Sequence, residues 1–175
     1  LDDDLLQQIA AENNLSETAF IVPVGSDYEL RWFTPTTEVE LCGHATLAAA
    51  YVIFHCLAYT NAQIRFKTRY RGVLFVSQED NGLTLDFPSC PATPCPTPPI
   101  LKAAIGVEPD EVLFADDYLV ILANEQQVKN VQIKLDLLRQ LAGRGVIISA
   151  RGEHVDFVSR FFAPKYGVDE DPVTG

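Results

Sequence analysis

Arg31-Trp32-Phe33-Thr34-Pro35 returns, in pattern, as Arg160-Phe161-Phe162-Ala163-Pro164. Each stretch is an arginine, two aromatics, a small residue and a proline. Four residues past each proline stands a valine, Val39 or Val168, and an acid follows it, Glu40 or Asp169. Cys42-Gly43-His44-Ala45-Thr46 comes next in the first copy and Asp171-Pro172-Val173-Thr174-Gly175 in the second. Both copies read as a strand, a proline turn, an acidic loop and the start of a helix. Self-similarity of this kind marks an internal duplication. It predicts two like domains whose helix starts meet at their junction. A helix start carries unpaired N–H groups and the positive end of the helix dipole, so it is an anion site by construction. Two of them are suited to grip a substrate carboxylate between the domains.

The sequence around the first copy fills in one domain. Asp2 to Asn13 reads as a helix with an apolar stripe of Leu5, Leu6, Ile9 and Ala10 and an acidic first turn that suits the dipole. Thr18 to Val24 and Tyr28 to Phe33 read as a hairpin across Gly25-Ser26-Asp27. Pro35 to Glu40 is polar. Ala45 to Leu57 is apolar on all sides, which predicts a helix buried inside the fold. Gln63 to Tyr70 and Val73 to Gln78 alternate across Arg71-Gly72, and Asn81-Gly82 turns into Leu83 to Phe87.

Pro88 to Pro99 holds six prolines in twelve residues and reads as an extended connector. Beyond it the pattern begins again. Ile100 to Ile105 reads as a short helix, and Glu111 to Phe114 and Leu119 to Leu122 as strands about Asp116-Asp117. Asn124 to Ala142 reads as mainly helical, and Val146 to Ser149 and Val155 to Phe162 as strands about Arg151-Gly152. The expectation is an α+β protein of two similar domains, 1–87 and 100–175, joined by a linker at 88–99. Each domain is a curled, mostly antiparallel sheet around a central helix. The chain starts at Leu1, holds no Met and stops at Gly175 in mid-motif. It is therefore expected to be part of a longer product, with the first strand and the second central helix outside it.

Composition excludes several classes. The net charge is −11, with 13 Lys and Arg scattered along the chain. Nucleic-acid binders need a basic face to displace counterions from phosphates, and an anionic membrane makes the same demand. No apolar run approaches the ~20 residues that span a bilayer, and no charged-then-apolar leader opens the chain. A cytosolic protein is expected. Cys42, Cys56, Cys90 and Cys95 are too few and too spread for a disulfide scaffold, so reduced thiols are the default. A metal centre is not expected either. Cys42 and His44 offer two ligands with no third at a zinc-like spacing, and Cys90 and Cys95 read as chance. There is no phosphate-binding loop and no nucleophile elbow. His55 reads as a helix-end residue and His154 as a hairpin residue.

Three places carry acid–base chemistry. Cys42-Gly43-His44 stands where a polar loop enters a helix. Glycine admits a ligand close to the backbone, and histidine exchanges protons near neutral pH. A helix cap with a chance histidine is the plainer alternative, and local sequence alone leans to it. Glu17 precedes an apolar strand, and a carboxylate set against apolar surface becomes a usable base. A solvated loop glutamate is the alternative. Asp171 stands near an expected second helix start at Thr174, where a simple acidic turn and N-cap also fits.

Four segments in order then carry a resemblance: Leu15-Ser16-Glu17-Thr18-Ala19-Phe20, Glu40-Leu41-Cys42-Gly43-His44-Ala45-Thr46-Leu47-Ala48, Ser159-Arg160-Phe161-Phe162-Ala163-Pro164 and Asp169-Glu170-Asp171-Pro172-Val173-Thr174-Gly175. Together they resemble the phenazine-biosynthesis (PhzF-like) isomerase family over nearly the whole chain. The resemblance implies a diaminopimelate epimerase-like fold, no cofactor and no metal. It implies a proton shift between carbons of a small carboxylate; in the family's namesake the substrate is a dihydro-hydroxyanthranilate. It places the essential glutamate on Glu17, the histidine on His44 and the aspartate on Asp171. Cys42, Gly43 and Ala45 at the first helix start, and Thr174 and Gly175 at the second, would hold the substrate anion. A homodimer is also implied. A two-thiol epimerase or racemase is the first rival. Cys42 occupies one thiol position, but the other falls near Pro172, which is neither acid nor base. A non-catalytic binding protein on the same scaffold is the second rival. Its mark would be full partner binding with Glu17 and His44 both replaced.

Overall fold

The computed structural model describes residues 1–172. The chain divides into two compact units, Leu1–Ser89 and the described residues from Cys90 onward.

The first unit opens with α1 (Asp3–Asn13). Asp2 caps it, its carboxylate accepting the Leu5 N–H at 2.9 Å, and Asn14 ends it in the left-handed conformation at φ 49°. Leu6 and Ala10 are buried, whereas Leu5 of the expected stripe is exposed. Two strands follow, β1 (Thr18–Val24) and β2 (Asp27–Phe33), joined by the two-residue turn Gly25-Ser26 with Gly25 at φ 65°. β3 (Glu38–Val39) folds back on β2 inside the stretch that reads as polar loop. Then come α2 (Gly43–Cys56), β4 (Gln63–Thr68), β5 (Val73–Glu79) and β6 (Gly82–Asp86). The sheet runs β1-β2-β4-β5-β6, with β3 on β2. Every pairing is antiparallel except β2 with β4, whose crossover includes α2. Leu30 and Trp32, Ile64 and Phe66, and Leu74 and Val76 alternate along three successive strands of the sheet and are all buried. That is the two-residue period of a sheet with one covered face. Each such side chain stabilises by about 1.5–3 kcal/mol on removal from water.

α2 corrects an expectation. Ala45, Thr46, Ala49, Ala50, Ile53 and Phe54 are buried, but Ala48, Tyr51, Val52 and His55 are exposed. The helix is covered on one face only in this chain. An apolar sequence on all sides records what a helix tolerates, and the packing partners decide which faces are covered.

The second unit contains β7 (Thr93–Pro94), α3 (Pro99–Ile105), β8 (Glu111–Phe114) and β9 (Tyr118–Ile121). These are followed by α4 (Glu125–Asn130), α5 (Leu135–Leu138), β10 (Val146–Arg151), β11 (Phe157–Ala163), a 3-10 turn at Pro164–Tyr166 and β12 (Val168–Asp171). The sheet order is β12-β11-β10-β9-β8-β7, and β9 with β10 is the parallel pair. Its core joins Leu101, Ile105, Val120, Leu122, Val128, Leu138, Ile148 and Phe162. Two expectations shift. Part of the proline-rich connector is strand, because β7 pairs with β8 and Pro99 opens α3, a position that needs no N–H. The stretch 124–142, expected to be mainly helical, holds two short helices. Val131 leaves helical geometry at ψ 126°, and the Lys134 N–H bonds Ala104 O at 3.0 Å. The second central helix, expected from Thr174 on, lies outside the described residues.

The two copies of the motif form a like clamp but in different register, Val39 lying opposite Trp32 and Val168 opposite Ala163. Arg31 donates from Nε and Nη2 to the two oxygens of Glu38 at 2.7 and 2.9 Å, and Arg160 does the same to Glu170 at 2.7 and 2.9 Å. Each guanidinium also lies 5.0 Å from the ring two residues on, Phe33 or Phe162. A forked charge-assisted pair backed by cation–π contact locks strand to returning strand. The acids of the clamp are Glu38 and Glu170 rather than Glu40 and Asp169. The two valines are equivalent in burial, Val39 at 8% and Val168 at 7% exposure. No helix among the described residues is long and apolar enough to cross a membrane.

Candidate active site

The clamp at the end of β2 sets up the site. β3 pairs Val39 with Trp32, which fixes the direction in which the chain leaves for α2. Cys42 is the N-cap of that helix, extended at φ −147°, and makes no side-chain cap bond. Its carbonyl instead accepts the Thr46 hydroxyl at 2.5 Å, which ties the first turn shut. Gly43 and His44 are the first two residues of the helix. Glu17 stands immediately before β1, and α2 packs on β1. Residues far apart in sequence thereby meet. A Glu17 carboxylate oxygen, Oε2, lies 3.1 Å from His44 Nε2, and the Cys42 Sγ lies 3.7 Å from His44 Nδ1.

The surroundings set the charges. The side chains of Glu17 and His44 are 13% and 24% exposed. The Glu17 Oε2 is buried and accepts no aligned hydrogen bond, so its contact with His44 is an ion pair by proximity. Glu17 is therefore buried beside His44. Burial pushes the Cys42 thiol up, so the sulfur is protonated at neutral pH. The Cys42 sulfur and then the Glu17 carboxylate push His44 up to about 10, against the pull of burial. At neutral pH the site is an imidazolium beside a carboxylate, with a thiol behind them.

A stability consequence follows by linkage. A histidine whose folded value is raised from 6.5 to about 10 gives stability that is complete below about pH 6.5 and lost as pH rises through about 10. His44→Gln is expected to remove that dependence. The gap in unfolding free energy between wild type and variant, from urea titrations, should be widest below pH 6.5 and close toward pH 10. A gap independent of pH would show that His44 carries no such charge coupling.

The remaining expected residues divide. Gly43 and Ala45 share the first turn of α2 with His44. A Cβ on Gly43 would meet only Phe87 Cε2, at an ordinary 3.8 Å, so protein packing on that side does not dictate the glycine. Asp171 is the last residue of β12, opposite Phe161 in the second unit. Thr174 and Gly175 lie outside the described residues. His55 is one residue from the end of α2 and His154 lies in the turn between β10 and β11, as their sequence contexts suggest. The four cysteines are free thiols. One feature escaped the sequence altogether. The acid Oε2, the sulfur and the imidazole form a cluster of three donor atoms, all within 4.8 Å of one another. The third donor, Glu17, is 25 residues before Cys42 and is brought in by packing, which no ligand spacing can reveal.

Known proteins agree with this arrangement of sheets. The architecture is the diaminopimelate epimerase-like one, two sheet-rich halves with mixed, open sheets. A predicted epimerase from Pseudomonas aeruginosa shares it with a TM-score of 0.67 over 100% of this chain and 68% of that one, at 18% identity, which speaks to fold alone. A phenazine biosynthesis PhzF-family protein from Enterococcus faecalis superposes with a TM-score of 0.90 and 42% identity, over 100% of this chain and 67% of that one. An uncharacterised isomerase of Pseudomonas aeruginosa is 51% identical over 175 residues, all of this chain and 67% of the relative. The family model described as phenazine biosynthesis-like protein matches residues 1–175. The chain belongs to that family.

Proposed function

We propose that this chain carries the acid–base site of a cofactor-independent isomerase that moves a proton between carbons of a small carboxylate. One observation carries the reading. Glu17 presents a buried carboxylate oxygen with no aligned donor, 3.1 Å from His44. A lone pair left free in a confined place can accept a proton from carbon.

Glu17 then removes a proton from a carbon beside an activating group. The protonated His44 steadies the charge that develops and relays the proton back at the new position. The first turn of α2, which has no side-chain cap, offers N–H groups to the substrate carboxylate. Asp171 has a role by family resemblance alone. The relatives' description as isomerases supports the reaction class and leaves the substrate open.

The test uses the full-length protein in heavy water with small cyclic amino and hydroxy acids, dihydro-hydroxyanthranilate among them, followed by NMR. The expected result is deuterium entering a carbon-bound position of one of them. Folded protein that exchanges none of them, yet binds one with Glu17 and His44 both replaced, would overturn the reading in favour of a binding role.

A further inference from the structure

Cys42 has no step in the chemistry above, yet it is buried against the acid–base pair. Its sulfur stands 3.7 Å from His44 Nδ1 and 3.9 Å from His44 Nε2. Those two distances fix its place. Within the plane of the ring, any point so nearly equidistant from both nitrogens falls too close to a ring carbon. The sulfur therefore lies over the face of the imidazole, in line with neither nitrogen. Polarisable sulfur makes favourable contacts with rings. The edge of the same ring meets Glu17. Oε2 is 3.1 Å from Nε2, close enough for a hydrogen bond, yet no donor is in line with it. A charged pair gains most from a straight hydrogen bond, so a ring free to turn would swing into line. We propose that Cys42 is a positioning residue: its sulfur, packed on the face of His44, holds the imidazole out of line with Glu17 and so leaves the Glu17 oxygen free to take a proton from carbon. The kinetic half rests on the proton-transfer reading, and the hold on the ring does not.

The sulfur is a firm stop because its own residue is clamped. The Cys42 carbonyl accepts both the Thr46 N–H at 3.3 Å and the Thr46 hydroxyl at 2.5 Å, and Thr46 is fully buried. The thiol makes no cap bond to the helix, so its place is set by packing alone. His44 belongs to the same helix turn, two residues on, so ring and sulfur keep their spacing. What remains loose in a histidine is rotation about the bond to its ring, a broad torsion with no sharp preference of its own. A contact on the ring face is the kind that stops this rotation, and one at the ring edge is not. The substitutions separate the causes. Alanine removes the stop and frees the ring to turn toward Glu17. Valine returns an atom near the place of the sulfur, but no thiol, so it restores the stop without any chance of thiol chemistry.

The experiment compares full-length wild type, Cys42→Ala and Cys42→Val, each shown folded by circular dichroism, with nitrogen-15-labelled histidine. The His44 signals are identified by their loss in His44→Gln. Wild type is expected to show no far-downfield Nε2 proton of the kind a straight bond to a carboxylate produces. Cys42→Ala should gain one, and Cys42→Val should not. With an exchanging substrate in hand, kcat of Cys42→Ala should fall by about 10- to 100-fold with KM little changed, the scale on which a misplaced group acts, and Cys42→Val should recover most of it. A strong Nε2 bond already present in wild type, or His44 signals unmoved in Cys42→Ala, would overturn the hold on the ring. A folded Cys42→Val that behaves as the alanine variant does would overturn it as well and assign the effect to the thiol itself. The expected movement of His44 in a protein that exchanges no substrate would keep the hold and sink the isomerase reading instead.

Discussion

Glu17→Gln is expected to slow carbon-bound exchange by roughly 100- to 10,000-fold, the range over which a positioned base acts. The substitution keeps the shape of the side chain and removes only the ability to accept a proton. Its consequences should therefore separate. Turnover should collapse, while substrate affinity, set by the helix start, should change little. Since this carboxylate, after the Cys42 sulfur, helps hold His44 above its ordinary value, its titration should move down in the variant, visible in the imidazole resonances. The paired readout matters. A variant that loses activity because it misfolds would also titrate His44 lower, so circular dichroism must show the variant folded. A folded variant that keeps its exchange rate would remove Glu17 from the chemistry and leave the ion pair a structural one.

The fold was legible where local chemistry is self-sufficient. Gly25-Ser26, Arg71-Gly72 and Asp116-Asp117 mark turns because left-handed or tightly bent backbone demands those residue types, and the turn expected at Asn81-Gly82 falls one residue earlier, at Asp80-Asn81, with Gly82 opening β6. β1 and β8 have the bounds expected of them, Thr18–Val24 and Glu111–Phe114. What was not legible depends on distant partners. β3 is two residues long and exists because Arg31 reaches Glu38. The break after α4 arises where Lys134 turns to Ala104, a contact made across the unit. The open face of α2 could not be read from residues that are apolar all round. The site behaves alike. Cys42-Gly43-His44 is visible as a helix entrance, but its alliance with Glu17 is a product of α2 packing on β1.

Trp32→Ala is expected to destabilise the first unit by about 3–5 kcal/mol, the range for emptying a buried aromatic site. Trp32 is 1% exposed and sits in β2 between Ala19 of β1 and Val39 of β3. Deleting the indole opens a cavity that paired backbone on either side cannot collapse into, so the cost should lie high in the range. The duplication supplies the sharper comparison. The second copy places Phe161 where the first has Trp32, at 9% exposure in the matching position of Arg160-Phe161-Phe162. The Trp32 Nε1 is also buried without a hydrogen-bond partner among the described residues. An unmade buried bond costs about 1–3 kcal/mol, and phenylalanine has no such group to leave unsatisfied. Trp32→Phe should therefore cost less than half of what alanine costs, since the removed volume is partly offset by the removed N–H. Urea unfolding followed by circular dichroism decides it, because Trp32 is the only tryptophan and fluorescence is lost with it. Equal losses for the two variants would mean that the indole nitrogen is satisfied and that the two copies of the motif pack their central aromatics differently.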